Sequence, residues 1–401
     1  MYFDSAATSF PKPKKVIKGV EEVLVNKFGS YNRSSDTELG DLIYLTRKKI
    51  ADFFNIRFAN SIVFTQNATE SLNIVINGVL AEGDEVITTA TEHNSVIRPL
   101  LKLSKERNLK VHFVECNNRG FIDQNKIIEL INDHTKLVIV NQGSNVTGAI
   151  QEINKVSEIV SNLSNSYLLV DISQTAGHIN VDNQVLKADF LAFTGHKGLM
   201  GIQGIGGLYI NPEILISPLK VGGTGVLSEL LVQPHGTPIH YEAGTPNIPG
   251  ISSLFWSIDF INEAGLNNIE EEMFTKNKYL HEELLKRDSV ELYSDPNAIG
   301  ITAFNIDNLV PSRTAHFLLE NFDITTRSGL MCAPFIHEFL NNGPFGCVRV
   351  SFSHFTSYEE IDYLLTAIDK IIKESKKNSN INIPTEYELP SIYTWEEDIN
   401  E

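Results

Sequence analysis

The chain has 401 residues, of which 42% are hydrophobic and 21% charged, and its formal net charge at pH 7 is −17. This length and composition are those of a globular protein with a large core and two or three folding units, which excludes a disordered chain and a coiled coil. Because nucleic acids and anionic membranes are bound through clustered cations, the excess of 50 acidic over 33 basic residues argues against both as partners.

The sequence predicts neither a membrane segment nor a disulfide framework. No apolar run reaches the ~18 residues that a membrane helix needs, and the first residues lack the basic and apolar regions of a signal peptide. The three cysteines, Cys116, Cys332 and Cys347, form no CxxC pair, and the eleven histidines show no metal-ligand spacing. We therefore expect a reducing, cytoplasmic environment and no metal site.

Short apolar runs alternate with helical patterns from about residue 60 to residue 210. The predicted strands are 61–65, 85–90, 110–115, 136–141, 167–172, 190–194 and 207–210. The predicted helices between them include 70–79, 96–107 and 154–163. Such alternation predicts an α/β fold with a mainly parallel sheet, whose ligands gather at the carboxyl ends of the strands.

The rest of the chain is predicted to form loops, a smaller α+β unit and a tail. Dense Pro and Gly between residues 218 and 250 predict loops, and one long helical pattern follows at 253–287. Strand-like segments at 301–306 and 347–353 precede a helix at 359–374. The predicted units are an N-terminal segment packing near the active site (1–20), a large domain (21–259), a small domain (260–377) and an acidic tail (378–401).

Lys197 is the strongest candidate for chemistry. It follows a predicted strand in the sequence Thr-Gly-His-Lys-Gly at residues 194–198, where the glycines allow close approach of a ligand. Desolvation or a cationic neighbour lowers the pKa of such an amine and makes it nucleophilic enough to form a Schiff base. A surface lysine on a turn is the alternative for an isolated residue. Neither a Walker motif nor a dinucleotide fingerprint fits the surrounding glycines.

Three further candidates follow other strands of the predicted sheet. Asp171 ends an apolar run and suits either a pyridinium nitrogen or the role of a helix N-cap. Thr69 lies where a strand leads into a helix, so that it contributes either to a phosphate site or to plain capping. His93 either stacks on a planar cofactor and moves protons or has a structural role.

The remaining candidates bear on substrate binding and thiol chemistry. Asn145 either bonds a ring hydroxyl or a substrate carboxylate, or belongs to a turn. Cys332 lies in a Gly- and Pro-containing loop five residues after Arg327, which gives it the exposure and the cationic neighbour of a reactive thiol. Arg349 interrupts an apolar strand-like run, where it either clamps a carboxylate substrate or forms an internal salt bridge.

These motifs together resemble a known enzyme family. TGHK at 194–197, VDxxQ at 170–174, EHN at 92–94 and SNVTG at 144–148 resemble fold-type I, class V aminotransferase-like enzymes that depend on pyridoxal 5′-phosphate. EAGTPN at 242–247 and RxGxxCA at 327–333 narrow the resemblance to the cysteine desulfurases, nearer group II. The resemblance extends from Asp4 to about Glu374. It implies a large domain with a mainly parallel seven-stranded sheet and a smaller α+β domain.

The resemblance also implies how the cofactor is held. Lys197 would form the covalent link to the cofactor aldehyde, Asp171 would pair with the pyridine nitrogen, and His93 would stack on the ring. Gln174 and Asn145 would face the ring hydroxyl and the substrate. The phosphate would be bound by Ala68, Thr69, Thr194 and His196, together with Thr245 from the other subunit of a homodimer.

The reaction implied by the resemblance converts L-cysteine to L-alanine. Arg349 would bind the substrate carboxylate, with Arg327 and Arg33 as further substrate contacts. Cys332 would take the substrate sulfur as a persulfide and pass it to an acceptor, which can be a protein.

Two departures from the family pattern keep alternatives open. Met331 stands where relatives often have a histidine before the loop cysteine, and Tyr31-Asn32-Arg33 replaces a segment rich in Gly, His and Arg. The alternatives are a lyase acting on cysteine, cystine or selenocysteine, another class V enzyme, and a catalytically weak sulfur-relay subunit. The presence of both Lys197 and Asp171 speaks against the last of these.

Overall fold

The fold consists of two β-sheets with helices packed around them. A computed structural model describes residues 1–25 and 37–377, so that Arg33 and the acidic tail at 378–401 lie outside the described residues. The strands of the larger sheet are β1 (Ile62–Thr65), β2 (Glu85–Thr89), β3 (Lys110–Val114), β4 (Thr135–Asn141), β5 (Tyr167–Asp171), β6 (Phe190–Thr194) and β7 (Gly206–Ile210). The strands of the smaller sheet are β8 (Val290–Leu292), β9 (Ile301–Ile306), β10 (Arg327–Gly329) and β11 (Cys347–Ser351).

The larger sheet has the strand order β1-β7-β6-β5-β4-β2-β3. Strands β2 to β6 run parallel to one another, whereas β7 is antiparallel to both of its neighbours. All residues of β6 and β7 are buried, as expected of strands covered by helices on both faces. The prediction of a mainly parallel seven-stranded sheet is thus confirmed. In β4 and β5, Asn141 pairs with Asp171, so the carboxyl ends of these two strands coincide.

The helices cover the sheet faces and frame the smaller unit. They are α1 (Lys14–Val25), α2 (Thr37–Phe53), α3 (Ala68–Val79), α4 (Asn94–Arg107), α5 (Asn125–Leu130), α6 (Ile153–Leu163), α7 (Asn183–Leu186), α8 (Ile248–Ala264), α9 (Leu266–Leu284), α10 (Pro311–Phe322), α11 (Ile336–Leu340) and α12 (Tyr358–Lys377). The predicted single helix at 253–287 is wrong, because Gly265 has φ 81° and separates α8 from α9. Glycine adopts this left-handed conformation without the steric cost that other residues meet.

The smaller sheet is antiparallel, with the order β10-β11-β9-β8. Its register places Arg327 opposite Arg349, which brings two arginines to one edge of the unit. The predicted strands β9 and β11 are present. Helix α10 was not predicted. Strands β8 and β10 were not predicted either, because three residues are too few to display an alternation of apolar and polar side chains.

Residues 1–13 connect the two sheets. The amide of Phe3 donates to the carbonyl of Thr325, and the amide of Ser5 donates to that of Ser351, both in the smaller unit. Further along, the amide of Ser9 donates to the carbonyl of His196, directly before Lys197. This N-terminal segment therefore borders the end of the larger sheet at which the candidate residues lie.

Within residues 1–25 and 37–377, no helix is both long and apolar enough to span a membrane. In the same residues, no three or more His, Cys, Asp or Glu side chains are arranged as ligands of a metal ion.

Candidate active site

A pocket of about 220 Å³ lies at the carboxyl ends of the parallel strands, where the smaller sheet and residues 1–13 meet the larger sheet. Most of the residues predicted from the sequence line it. They are Ala68, Thr69, His93, Asn145, Asp171, Gln174, Thr194, His196, Lys197, Arg327 and Arg349. Residues that were not predicted also line it, namely Ala6, Ala7, Asn67, Ser95, Asn141, Gly143, Ser173 and Met331.

Lys197 lies three residues beyond the end of β6, in a turn that the backbone at Gly177 approaches closely. A Cβ atom on Gly177 would lie 2.3 Å from the carbonyl oxygen of Gly198, so the chain approaches this turn closely only because residue 177 is a glycine with φ 86°. Burial lowers the pKa of Lys197 to about 8, since desolvation penalises the ammonium form. The negative charge of Asp171 acts in the opposite direction. Lys197 is therefore partly deprotonated near neutral pH.

Asp171 ends β5 and is held by Ser173. The amide and the hydroxyl of Ser173 both donate to Oδ1, at 2.9 and 2.5 Å. Burial raises the pKa of this carboxyl, while the two bonds from Ser173 and the charge of Lys197 act to lower it. No bond from the described residues reaches Oδ2, which leaves that oxygen for a cationic partner in the pocket.

His93 is the N-cap of α4. Its Nδ1 accepts a hydrogen bond from the amide of Ser95 at 3.0 Å and lies 2.8 Å from the Ser95 hydroxyl. Burial lowers the pKa of His93 to about 4, and the charge of Lys197 adds to this effect. The ring is therefore neutral at physiological pH, and because Nδ1 accepts, we assign the proton to Nε2. A neutral, oriented imidazole is suited to stacking on a planar group.

An anion cradle lies between the start of α3 and the end of β6. The first amides of α3, at Ala68 and Thr69, have no partner within the helix and attract negative charge together with the helix dipole. Across from them, Thr194 Oγ1 and His196 Nδ1 are buried and without hydrogen-bond partners among the described residues. Burial without partners is costly for polar atoms. These atoms and amides fit the phosphate of a bound cofactor.

Arg349 forms an internal ion pair and also lines the pocket. Its Nη2 is 2.6 Å from Asp4 Oδ1, and its Nη1 donates to the carbonyl of Asn145 at 2.7 Å. Its side chain is only 1% exposed, and its Nε has no partner in the described part of the chain. From the sequence, two roles were open for Arg349, namely an internal salt bridge or the binding of a substrate carboxylate. The structure shows the salt bridge and leaves the Nε–H donor available for a ligand.

Cys332 is partly buried at the edge of the site. Its Sγ lies 3.5 Å from Arg327 Nη2, and the neighbouring Met331 lines the pocket. The two other cysteines, Cys116 and Cys347, are buried, and burial raises the pKa of each thiol to about 12. Of the three cysteines, Cys332 alone combines accessibility with a cationic neighbour.

Thr245 does not reach the pocket of its own chain. It lines a separate surface cleft of about 160 Å³ with Phe64, Gln66 and Glu242. Its contribution to the phosphate of another subunit stays a prediction.

Several residues that shape the pocket were not predicted from the sequence. Asp4 begins the resemblance to the family, but nothing in the sequence connects it with Arg349, 345 residues away. Ser173 and Ser95 each follow a candidate residue by two positions, and this spacing is a usable signal. Short polar side chains at that spacing often bond back to the preceding side chain or backbone.

The fold and this pocket together define an enzyme of the pyridoxal-phosphate type, with a lysine and an aspartate at neighbouring strand ends beside an anion cradle. Residues 1–364 match the model of the family described as Aminotransferase class-V. The chain belongs to this family.

The relatives and structures that the chain resembles narrow the assignment. It is 36% identical to a probable cysteine desulfurase of Pyrococcus abyssi, over 94% of this chain and 96% of the relative. It is 34% identical to a probable cysteine desulfurase of Methanothermobacter thermautotrophicus, over 92% and 94%. The solved apo structure of a cysteine desulfurase from Thermococcus onnurineus superposes with a TM-score of 0.87 at 33% identity, covering 93% of this chain and 95% of that one. Within the class V family, the chain is a member of the cysteine desulfurases, and its cofactor is pyridoxal 5′-phosphate.

Proposed function

We propose that this protein is a cysteine desulfurase that converts L-cysteine to L-alanine and retains the sulfur on Cys332. The observation that carries the proposal is the placement of Cys332 Sγ at 3.5 Å from Arg327, at the edge of a pocket that contains Lys197. The similarity to proteins named cysteine desulfurases over nearly the whole chain supports the same function.

The arginines supply the binding site for the substrate carboxylate. Arg327 and Arg349 face each other across β10 and β11, and both line the pocket. Two guanidinium groups at one edge attract a carboxylate and can bond it in a fixed orientation. Asn145 adds a buried Oδ1 atom without a partner among the described residues, which suits the amino end of the same substrate.

The other pocket residues serve the cofactor and the proton transfers. When bound, pyridoxal phosphate withdraws electrons from the substrate Cα. Asp171 would keep the ring nitrogen of the cofactor protonated, and His93, as a neutral imidazole, would stack on the ring. Lys197 would hold the cofactor, and as a free amine with a pKa of about 8 it would take up and return a proton near neutral pH.

Cys332 receives the sulfur in the proposed reaction. Its thiolate attacks the sulfur of the substrate, the bond between that sulfur and Cβ breaks, and Cβ is protonated to the methyl group of alanine. The overall change is L-cysteine plus the Cys332 thiol to L-alanine plus the Cys332 persulfide. Sulfur is oxidised to the sulfane level and carbon is reduced, so no external oxidant is needed. An acceptor thiol, supplied by a small molecule or a protein, then takes the terminal sulfur.

We further propose a homodimer that acts in the cytoplasm. Thr245 lies away from the pocket of its own chain, as expected of a residue that serves the partner's site. Exposed apolar side chains between β7 and α8, at Val221, Leu231 and Val232, form a surface that a second copy would cover. Three free cysteines suit a reducing compartment.

A product assay tests the proposed reaction. Wild-type enzyme loaded with pyridoxal phosphate should produce alanine from L-cysteine, with a persulfide on Cys332 detected by mass spectrometry. Cys332→Ser should lose alanine formation by at least about 100-fold, because no other accessible thiol lies beside the pocket. Cys116→Ala is the matched control, since this thiol is buried away from the pocket, and it should retain activity.

Two outcomes would contradict the proposal. Pyruvate as the main product, unchanged in Cys332→Ser, would show a C–S lyase instead. Equal alanine formation by wild type and Cys332→Ser would remove Cys332 from the reaction.

A further inference from the structure

The loop that carries Cys332 is held from outside at three successive carbonyl groups. Asn145 Nδ2 donates to the carbonyl of Met331 at 2.8 Å, and the amide of Asn94 donates to that of Cys332 at 2.7 Å. The third contact comes from His337 in α11, whose Nε2 lies 3.2 Å from the carbonyl of Leu330. Three separate parts of the chain thus determine the path of this loop.

External contacts are needed because the loop has an unfavourable backbone conformation. Met331 and Cys332 have φ values of 51° and 59°. Two consecutive side-chain-bearing residues in the left-handed region are disfavoured by contacts of Cβ with the backbone. Such a conformation persists only where surrounding contacts enforce it. Loss of one contact therefore allows the loop to relax and to move the thiol.

His337 has a defined hydrogen-bonding arrangement. It is 4% exposed, and its Nδ1 lies 3.1 Å from Oδ1 of Asn342. The carbonyl of Leu330 can only accept, so Nε2 carries a proton. Because burial lowers the pKa of His337, the ring is neutral and its Nδ1 must accept.

The amide of Asn342 is then oriented with Nδ2 toward His337. As placed, Nδ2 of Asn342 is buried and has no partner in the described chain, and reversal of the amide gives it one. Oxygen and nitrogen of an amide are interchangeable in shape, so the bonding pattern decides their assignment. In the resulting arrangement, Asn342 Nδ2 donates to His337 Nδ1, and His337 Nε2 donates to the carbonyl of Leu330.

We propose that His337 is a positioning residue that fixes the Cys332 loop through the carbonyl of Leu330. The inference rests on the proposed role of Cys332 as the sulfur acceptor. His337 does not line the pocket that contains Arg327 and Lys197 but lines a different cavity, so it acts on the reaction through the loop backbone. This contact supplies an anchor in a chain that has Met331 rather than a histidine beside the cysteine.

Two amide substitutions test whether the hydrogen bond from residue 337 to Leu330 is required, or whether any polar side chain at this position is enough. In His337→Gln, the amide nitrogen reaches the position of Nε2 and can still donate to Leu330. In His337→Asn, the amide is one bond shorter and ends near the position of Nδ1. His316→Asn, an exposed histidine on α10, is the control for replacement of a histidine in the same unit.

The experiment uses the holoenzymes and two measurements. Hydrogen exchange of the peptide covering residues 328–335 reports the loop directly, and the rate of persulfide formation on Cys332 from L-cysteine reports its position. We expect His337→Asn to exchange faster in this peptide and to form persulfide about tenfold more slowly, with the cofactor absorbance unchanged. His337→Gln and the control should stay within about twofold of wild type.

The results test the positioning role of His337 separately from the proposed function of the protein. Unchanged exchange in His337→Asn would overturn the positioning role, as would equal impairment of the Gln and Asn variants. Absence of persulfide in the wild type would refute the proposed function, while the exchange data would still test the contact between His337 and Leu330.

Discussion

Burial shifts the pKa values of three side chains in or beside the site away from their values in water. Desolvation lowers the pKa of Lys197 to about 8 and that of His93 to about 4, and it raises the pKa of Glu92 to about 8. Lysine thereby approaches its neutral form, histidine stays uncharged, and glutamate keeps its proton at neutral pH. At pH 7 the main effect on charge is that Glu92 is neutral, where the composition of the site would give an anion.

Glu92 is the least expected of the three. It is fully buried beside the pocket, where its Oε1 accepts hydrogen bonds from Thr89 Oγ1 and the amide of Asn141, both at 2.8 Å. Its Oε2 has no partner among the described residues, and the charge of nearby Asp171 further disfavours ionisation. The carboxyl group joins the ends of β2 and β4, next to His93.

Glu92→Gln should change how stability depends on pH. The folded protein keeps the Glu92 proton up to about pH 8, whereas the unfolded chain loses it near pH ~4.3. Unfolding therefore releases a proton between these values, so the wild-type free energy of unfolding falls as pH rises. The amide in the variant does not titrate. We therefore expect the free energy of unfolding of Glu92→Gln, relative to that of wild type, to rise by up to about 1.4 kcal/mol per pH unit between these values.

Urea unfolding at pH 6 and pH 8 measures this difference. The exposed Glu82→Gln variant is the control and should follow the wild-type dependence. If Glu92→Gln and wild type lose stability in parallel between the two pH values, Glu92 is already ionised in the folded protein.

At the level of elements, the strands were predictable because their chemistry is local. The predicted strands 136–141 and 190–194 contain the apolar runs 137–140 and 190–193, as buried parallel strands require, and polar residues mark their carboxyl ends. The division of the helix at Gly265 was not predicted, because the apolar pattern continues across the break. The three-residue strand β10, which positions Arg327, has no sequence pattern of its own and forms only by pairing with β11.

One ion pair joins helix α2, strand β1 and the segment before α8. Arg47, 2% exposed, makes a bidentate contact with Glu242, and its guanidinium lies 4.4 Å from the centroid of the Phe64 ring. Glu242 Oε1 also accepts a hydrogen bond from the amide of Phe64. This pair fixes the segment that continues to Thr245.

Arg47→Met should destabilise the protein by about 3 kcal/mol, because it leaves the Glu242 carboxylate without its cation in a largely buried place. Chemical denaturation gives this value. Lys102→Met removes an exposed partner of Glu106 and should change stability by less than about 0.5 kcal/mol. Similar effects of the two substitutions would mean that the Arg47 pair is no stronger than a surface pair.

At the level of the whole molecule, the pocket is assembled from distant parts of the chain. The cofactor residues on the larger sheet could be predicted because each follows its own strand. The pairing of Asp4 with Arg349 could not, since it depends on how residues 1–13 cross between the two sheets. The His337 contact was missed for a similar reason, because the histidine and the carbonyl meet only through the turn at residues 330–337.

The proposed dimer predicts a mass of about twice 44.8 kDa by light scattering after size-exclusion chromatography. Leu231→Glu, at a fully exposed apolar position between β7 and α8, should shift the protein toward the monomer, because a charge on the covered surface must be desolvated. Leu163→Glu, also exposed but at the end of α6, should leave the mass unchanged. A wild-type mass near 44.8 kDa would contradict the dimer.

The path of residues 1–13 has a consequence for synthesis on the ribosome. Ala6 borders the pocket, yet its amide is bound by Ser351, which is translated 345 residues later. A contact so remote in sequence forms late, after the intervening chain has folded. The contact of Ser9 with His196 can form once the larger sheet is made, whereas the contact of Ala6 must wait for Ser351, so this wall of the pocket is begun early and completed last.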